Sequence, residues 1–151
     1  MTQVEFHTGV AQPSLFACRL LRKAFRQGVR VVVTAPADRL RALDRELWTF
    51  DERDFVPHLC IEAGLACTDL ARRTPIWLVE AGEGAGGPWP EGAPDVLVNL
   101  DGPMPEALPQ LRRVIEIVGD EADVVARARA RWRAYAGQGL TVRHHAAVEA
   151  A

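Results

Sequence analysis

The sequence predicts an α/β fold, a three-layer α/β/α sandwich with a mainly parallel sheet. Three observations carry that prediction. Val29-Arg30-Val31-Val32-Val33, Asp95-Val96-Leu97-Val98-Asn99-Leu100 and Arg113-Val114-Ile115-Glu116-Ile117-Val118 are short, nearly continuous apolar runs rich in β-branched residues. That pattern marks strands buried on both faces. Between the early strands lie segments with leucines at helical spacing, so strand and helix alternate. Finally, 151 residues that are 48% hydrophobic and 25% charged suit one domain able to bury a core without disulfides or metals.

In chain order, Val4 to Thr8 reads as a short strand. Pro13-Ser14 opens a helix to about Gln27, with Leu15, Phe16, Leu20, Leu21 and Phe25 at helical spacing and Gly28 as its stop. The strand Val29 to Val33 follows, then the turn Ala35-Pro36-Ala37-Asp38. A second helix runs to about Trp48 with Leu40, Leu43 and Leu47 on one face. Residues 49–74 hold Phe50, Phe55, Val56, Pro57 and Leu59 without a period and read as a structured loop. Pro75 to Glu80 is a strand, and Ala81 to Pro94, with five glycines and three prolines, is a loop. After the strand Asp95 to Leu100, a helix from Pro105 to about Arg112 leads into the strand Arg113 to Val118. The last helix runs from about Asp120 to Ala136 and ends at Gly137 or Gly139. Residues 1–140 then form one α/β domain, and Thr141 to Ala151 a frayed, flexible tail. About five strands and four helices result, with an order in the sheet that periodicity does not specify.

Composition excludes several chemistries. Lys23 is the only lysine among 18 Lys and Arg residues, and it sits in Arg22-Lys23-Ala24 with no glycine before it. A phosphate-binding loop needs Gly-Lys-Ser/Thr, so ATP hydrolysis through that motif is ruled out. Gly82-Glu83-Gly84-Ala85-Gly86-Gly87 superficially resembles a dinucleotide fingerprint. Pro88, Trp89 and Pro90 follow where a helix would have to begin, however, so a surface loop is the better reading. Net charge of −2 argues against binding nucleic acid through an overall positive field. His58, Cys60 and Cys67 lack a clear fourth ligand for zinc, and the cysteines read as buried small hydrophobes. No catalytic constellation, cofactor site or metal site emerges. Three cysteines without close pairing, no signal peptide and no apolar run of bilayer length make a cytoplasmic protein the expectation.

Two features look like docking surfaces. On the last helix, Val125, Arg129, Trp132 and Ala136 form one stripe flanked by Arg133, beside a second stripe of Val124, Ala128 and Tyr135. The second stripe suits the core. Trp132 then lies among arginines on a partly exposed face, where guanidinium groups would fork onto carboxylates while the ring lines a pocket. The competing reading keeps Trp132 in the core and the arginines as a solvated face. The other feature is Leu43-Asp44 with Leu47-Trp48, Phe50 and Phe55-Val56-Pro57-His58, an aromatic cluster that suits either core packing or an interface.

Gly28 to Val33, Leu43-Asp44 through Leu47-Trp48, Phe55-Val56-Pro57-His58, Asp95 to Leu100 and Ala130-Arg131-Trp132-Arg133-Ala134-Tyr135, in this order and spacing, resemble the chi subunit of bacterial DNA polymerase III holoenzyme from Val4 to about Leu140. The resemblance implies a non-catalytic accessory protein with an α/β fold similar to nucleotide-binding domains but lacking a phosphate loop. It implies two partners: the psi subunit, which ties it to the clamp loader, and the acidic C-terminal tail of single-stranded DNA-binding protein, ending Asp-Ile-Pro-Phe. Contact with DNA would be mainly indirect, with none to membrane. The tail site falls on Val118, Arg129, Trp132, Arg133 and Gly139, and the psi surface near Trp48, Phe50, Phe55 and Val56. Val125 stands where the family commonly has a lysine, and Trp132 where tyrosine is familiar. A small nucleotide-dependent α/β enzyme and a direct single-stranded DNA binder are the rival readings.

Overall fold

The computed structural model describes residues 2–51, 53, 55–61, 68–82 and 87–146. Its strands are β1 (Gln3–Val10), β2 (Val31–Ala35), β3 (His58–Ile61), β4 (Ile76–Glu80), β5 (Val96–Asn99), β6 (Arg113–Gly119) and β7 (Val142–Ala146). Its helices are α1 (Pro13–Arg26), α2 (Ala37–Thr49), α3 (Asp69–Arg73) and α4 (Ala122–Gly137). The seven strands form one sheet in the order β3-β4-β2-β5-β6-β1-β7, parallel at every pairing. The predicted α/β sandwich with a parallel sheet is therefore what the chain forms.

Strand alternation splits the core in two. Val31, Val33, Ile76, Leu78, Val98 and Ile115 face α1 and α2, while Val32, Trp77, Leu97, Val114, Val118 and Phe6 face α3 and α4. Removing both faces from water is what makes these strands read as continuous apolar runs.

Several expectations need correction, each for a local reason. The second strand begins at Val31 rather than Val29, because Val29 closes α1: its N–H donates to Ala24 O at 2.9 Å and that of Gly28, at φ +73°, to Phe25 O. This is a Schellman cap, which uses up two residues after the helix. Residues 49–74 contain β3 and α3, too short at four and five residues to show a period; residues 62–67, Cys67 among them, lie outside the described residues. Between 105 and 112 only a 3₁₀ turn forms, Leu108–Gln110. Pro109 has no N–H to give a longer helix, and Thr2 Oγ1 ties the turn to the sheet by donating to Leu108 O and Leu111 O at 2.8 Å. Cys60 is exposed, whereas Cys18 is buried as expected, its thiol pushed up to about 12 by burial and then by Glu46. Of the glycine-rich stretch, residues 83–86 lie outside the described residues.

The largest correction is at the C-terminal end. Val142–Ala146, expected to fray, forms β7 and pairs with β1, from Val4↔Val142 to Thr8↔Ala146. Gly139, at φ +79°, makes the turn as C′ of a second Schellman cap, with Leu140 N–H donating to Tyr135 O and Gly139 N–H to Ala136 O. Residues 147–151 lie outside the described residues.

His7 joins three elements. Its ring stacks on His145 of β7 at 5.0 Å and tilts against Phe16 of α1 at 5.2 Å, and it shares a hydrogen bond with Glu5. Burial holds the imidazole below its ordinary 6.5, outweighing Glu5; the neighbouring His145 and Arg113 push the same way as burial. The folded chain thus resists a proton that the unfolded chain accepts. The stabilisation is present above the unfolded value and is lost as pH falls through the lowered folded one. In urea titrations between about pH 7.5 and 5.5, wild type should lose more stability than His7→Gln; parallel losses would refute the assignment.

Candidate functional site

The last helix is fixed from beneath before it presents anything to solvent. Thr34, Asn99 and Glu116 are paired in register across β2, β5 and β6, on the α4 side of the sheet. Glu116 is fully buried and accepts from Arg131 Nε at 3.0 Å, Tyr135 Oη at 2.8 Å and Asn99 Nδ2 at 3.1 Å. Burial pushes its carboxyl upward, against the pull of Arg131, Tyr135 and Asn99. Asp101, at φ +63° just past β5, takes a two-pronged contact from Arg127 at 2.7 and 3.0 Å, with Arg39 and Arg131 each at 3.9 Å. A short acidic side chain tolerates that backbone. Two carboxylates from the sheet therefore anchor one side of α4.

The core stripe of α4 is Val124, Ala128, Arg131 and Tyr135. The predicted apolar members are there. Arg131 was missed, although its place at i+3 from Ala128 and i−4 from Tyr135 puts it in that stripe, and Glu116 is the lone acid of its strand.

The adjoining side of α4 borders a groove of about 480 Å³ lined by Phe6, Thr8, Val118, Val125, Ala128, Arg129, Trp132, Arg133 and His144. Of the residues singled out from sequence, Val118, Arg129, Trp132 and Arg133 come together here. Gly139 does not line the groove; it forms the turn that delivers β7 to the groove's far side. Trp132 is half-buried, its ring 4.9 Å from Phe6, so its core and surface readings each describe one face of the same ring. Arg129 and Arg133 are exposed, and Val125 contributes an apolar patch. Sequence reading missed Phe6, Thr8, Ala128 and His144 as lining residues. An apolar floor with two guanidinium groups suits a ligand that is part apolar and part anionic.

The aromatic cluster divides. Trp48 and Phe55 are 58% and 57% exposed, with rings tilted together at 5.2 Å. Phe50 is half-buried under the Arg22 guanidinium, and Val56 is wholly buried. His58 turns its edge to Trp48 at 5.0 Å while both ring nitrogens contact oxygens at 2.8 Å, Val56 O and Asp44 Oδ1. Among the described residues no cluster of three or more His, Cys, Asp or Glu could hold a metal, and no helix is long and apolar enough to cross a membrane.

Fold and groove define the class: a parallel α/β sandwich with an arginine-edged apolar groove and no glycine-lysine phosphate loop. Residues 1–143 match the family model for the DNA polymerase III chi subunit, HolC. The chain is 35% identical over 150 residues to the DNA polymerase III subunit chi of Pseudomonas aeruginosa, covering 96% of each chain. It belongs to the DNA polymerase III chi subunit family, which makes it an accessory polymerase III subunit in DNA replication.

The anchoring of α4 is directly testable. Arg131→Ala should leave Glu116 buried without its cation and cost about 3–5 kcal/mol in urea unfolding. A loss below about 1 kcal/mol would show that the pair does not hold the helix.

Proposed function

We propose that this chi-family chain is a non-catalytic adaptor. It holds the acidic C-terminal tail of single-stranded DNA-binding protein in the groove between α4 and the sheet, and docks the psi subunit through the surface around Trp48 and Phe55. Through psi it joins the clamp loader, and DNA is engaged mainly indirectly, in the cytoplasm and without a cofactor. The observation that carries the first half is the groove itself. Arg129 and Arg133 take the tail's carboxylates, while Trp132, Val118 and Phe6 receive its terminal phenylalanine. Val125 adds apolar contact where the family's lysine would add an ion pair. Gly139 acts through the turn that brings β7 alongside.

For the second surface, two large aromatic rings more than half exposed and packed against each other are a costly display unless a partner covers them. Phe50 and Val56 support that surface from beneath rather than meeting a partner directly.

A peptide ending Asp-Ile-Pro-Phe should bind wild type and bind more weakly as salt rises. Arg129→Ala should cost about tenfold in affinity, the scale of one charged hydrogen bond. Unchanged affinity in both Arg129→Ala and Trp132→Ala would sink the groove assignment. For the other face, Trp48→Ala with Phe55→Ala should fold normally yet fail to co-elute with psi in gel filtration, while still binding the tail peptide. Intact co-elution would remove psi from this surface.

A further inference from the structure

The sheet row beneath α4 continues past the polar anchor. Glu116 of β6 is paired with Phe6 of β1, and Phe6 with His144 of β7. Three neighbouring side chains therefore rise on the same face toward α4. Glu116 takes Arg131. Phe6 meets Trp132 at 4.9 Å. The His144 ring stands 5.8 Å from Trp132 with an interplanar angle of 86°. A surface histidine on an edge strand would ordinarily rotate freely, yet a 2.5 Å hydrogen bond joins its Nε2 to Thr8 Oγ1. The family match ends at Arg143, one residue before this ring.

We propose that β7 is a wall of the ligand groove and that His144, fixed by Thr8, makes the groove select an aromatic residue at the end of an anionic peptide. This rests on the reading of the groove as a tail-binding site. Trp132 and His144 form a right-angled corner closed below by Phe6. A flat ring can lie against one wall while turning its edge to the other, satisfying both π systems. A small aliphatic side chain reaches only one wall. The arginines at the rim act on carboxylates whatever the terminal residue is, so charge supplies affinity and the corner supplies discrimination.

The test is calorimetric titration of two peptides, one ending Asp-Ile-Pro-Phe and one ending Asp-Ile-Pro-Ala, into wild type, His144→Ala and Thr8→Val. His144→Ala should weaken the phenylalanine peptide about fivefold, the scale of one edge-to-face contact, and change the alanine peptide less than twofold. Thr8→Val, which leaves the ring but frees it, should show a smaller loss of the same selectivity; it carries the comparison if His144→Ala fails to fold. Equal losses for both peptides, or no loss in either variant, overturn the role of His144 and leave the tail site standing. Binding of neither peptide to wild type overturns both.

Discussion

Glu116 is the constraint on which the rest of the site depends. A carboxylate inside a parallel sheet is expensive to bury, and the chain meets that cost with three donors from two elements, α4 and β5. Two of the donors, Arg131 and Tyr135, belong to α4 and fix its rotation about its own axis. One side of the helix thereby becomes core, and Arg129, Trp132 and Arg133 are left facing the groove. Purely apolar packing would tolerate small rotations of that helix; a hydrogen-bonded ion pair is far less forgiving of direction. The Asp101 contacts act alongside, tying the same helix to the end of β5.

The two proposed docking surfaces lie toward opposite edges of one rigid sheet. Trp48 packs beside His58 at the start of β3, the first strand in spatial order, whereas the groove is walled by β7, the last. Six strand intervals at roughly 4.8 Å put these edges about 29 Å apart. At that separation, partners on the two surfaces need not compete for space. A parallel sheet covered by helices on both faces also makes a stiff spacer between them.

Much of this was legible from residue order. β-branched runs announced β2, β5 and β6, and helix periodicity placed Trp132, Arg129 and Val125 on one stripe of α4 with Val124, Ala128 and Tyr135 on another. What escaped notice shares one cause: polar residues inside regular structure. Arg131 and Glu116 look like solvent-facing charges until each is seen to be the other's partner. Val142–Ala146 shows no apolar run because an edge strand need bury little, so Arg143, His144 and His145 suggested a loose tail. Pro109 erred in the other direction, since leucines around it mimicked a helix that its missing N–H forbids.

The parallel arrangement around β1 also sets an order of events. Both neighbours of this N-terminal strand, β6 and β7, come from the last third of the described chain, so Gln3 waits for Arg113 and Val4 for Val142. Pairings so distant in sequence form late, after the large loop between them has closed. On the ribosome, β1 therefore emerges ahead of both its neighbours and remains unpaired until they have been made. The groove, whose floor includes β1 and whose wall is β7, comes into being only after β7 has been made. A partially translated chain can build its β2–β5 centre, but it has nowhere to receive a ligand.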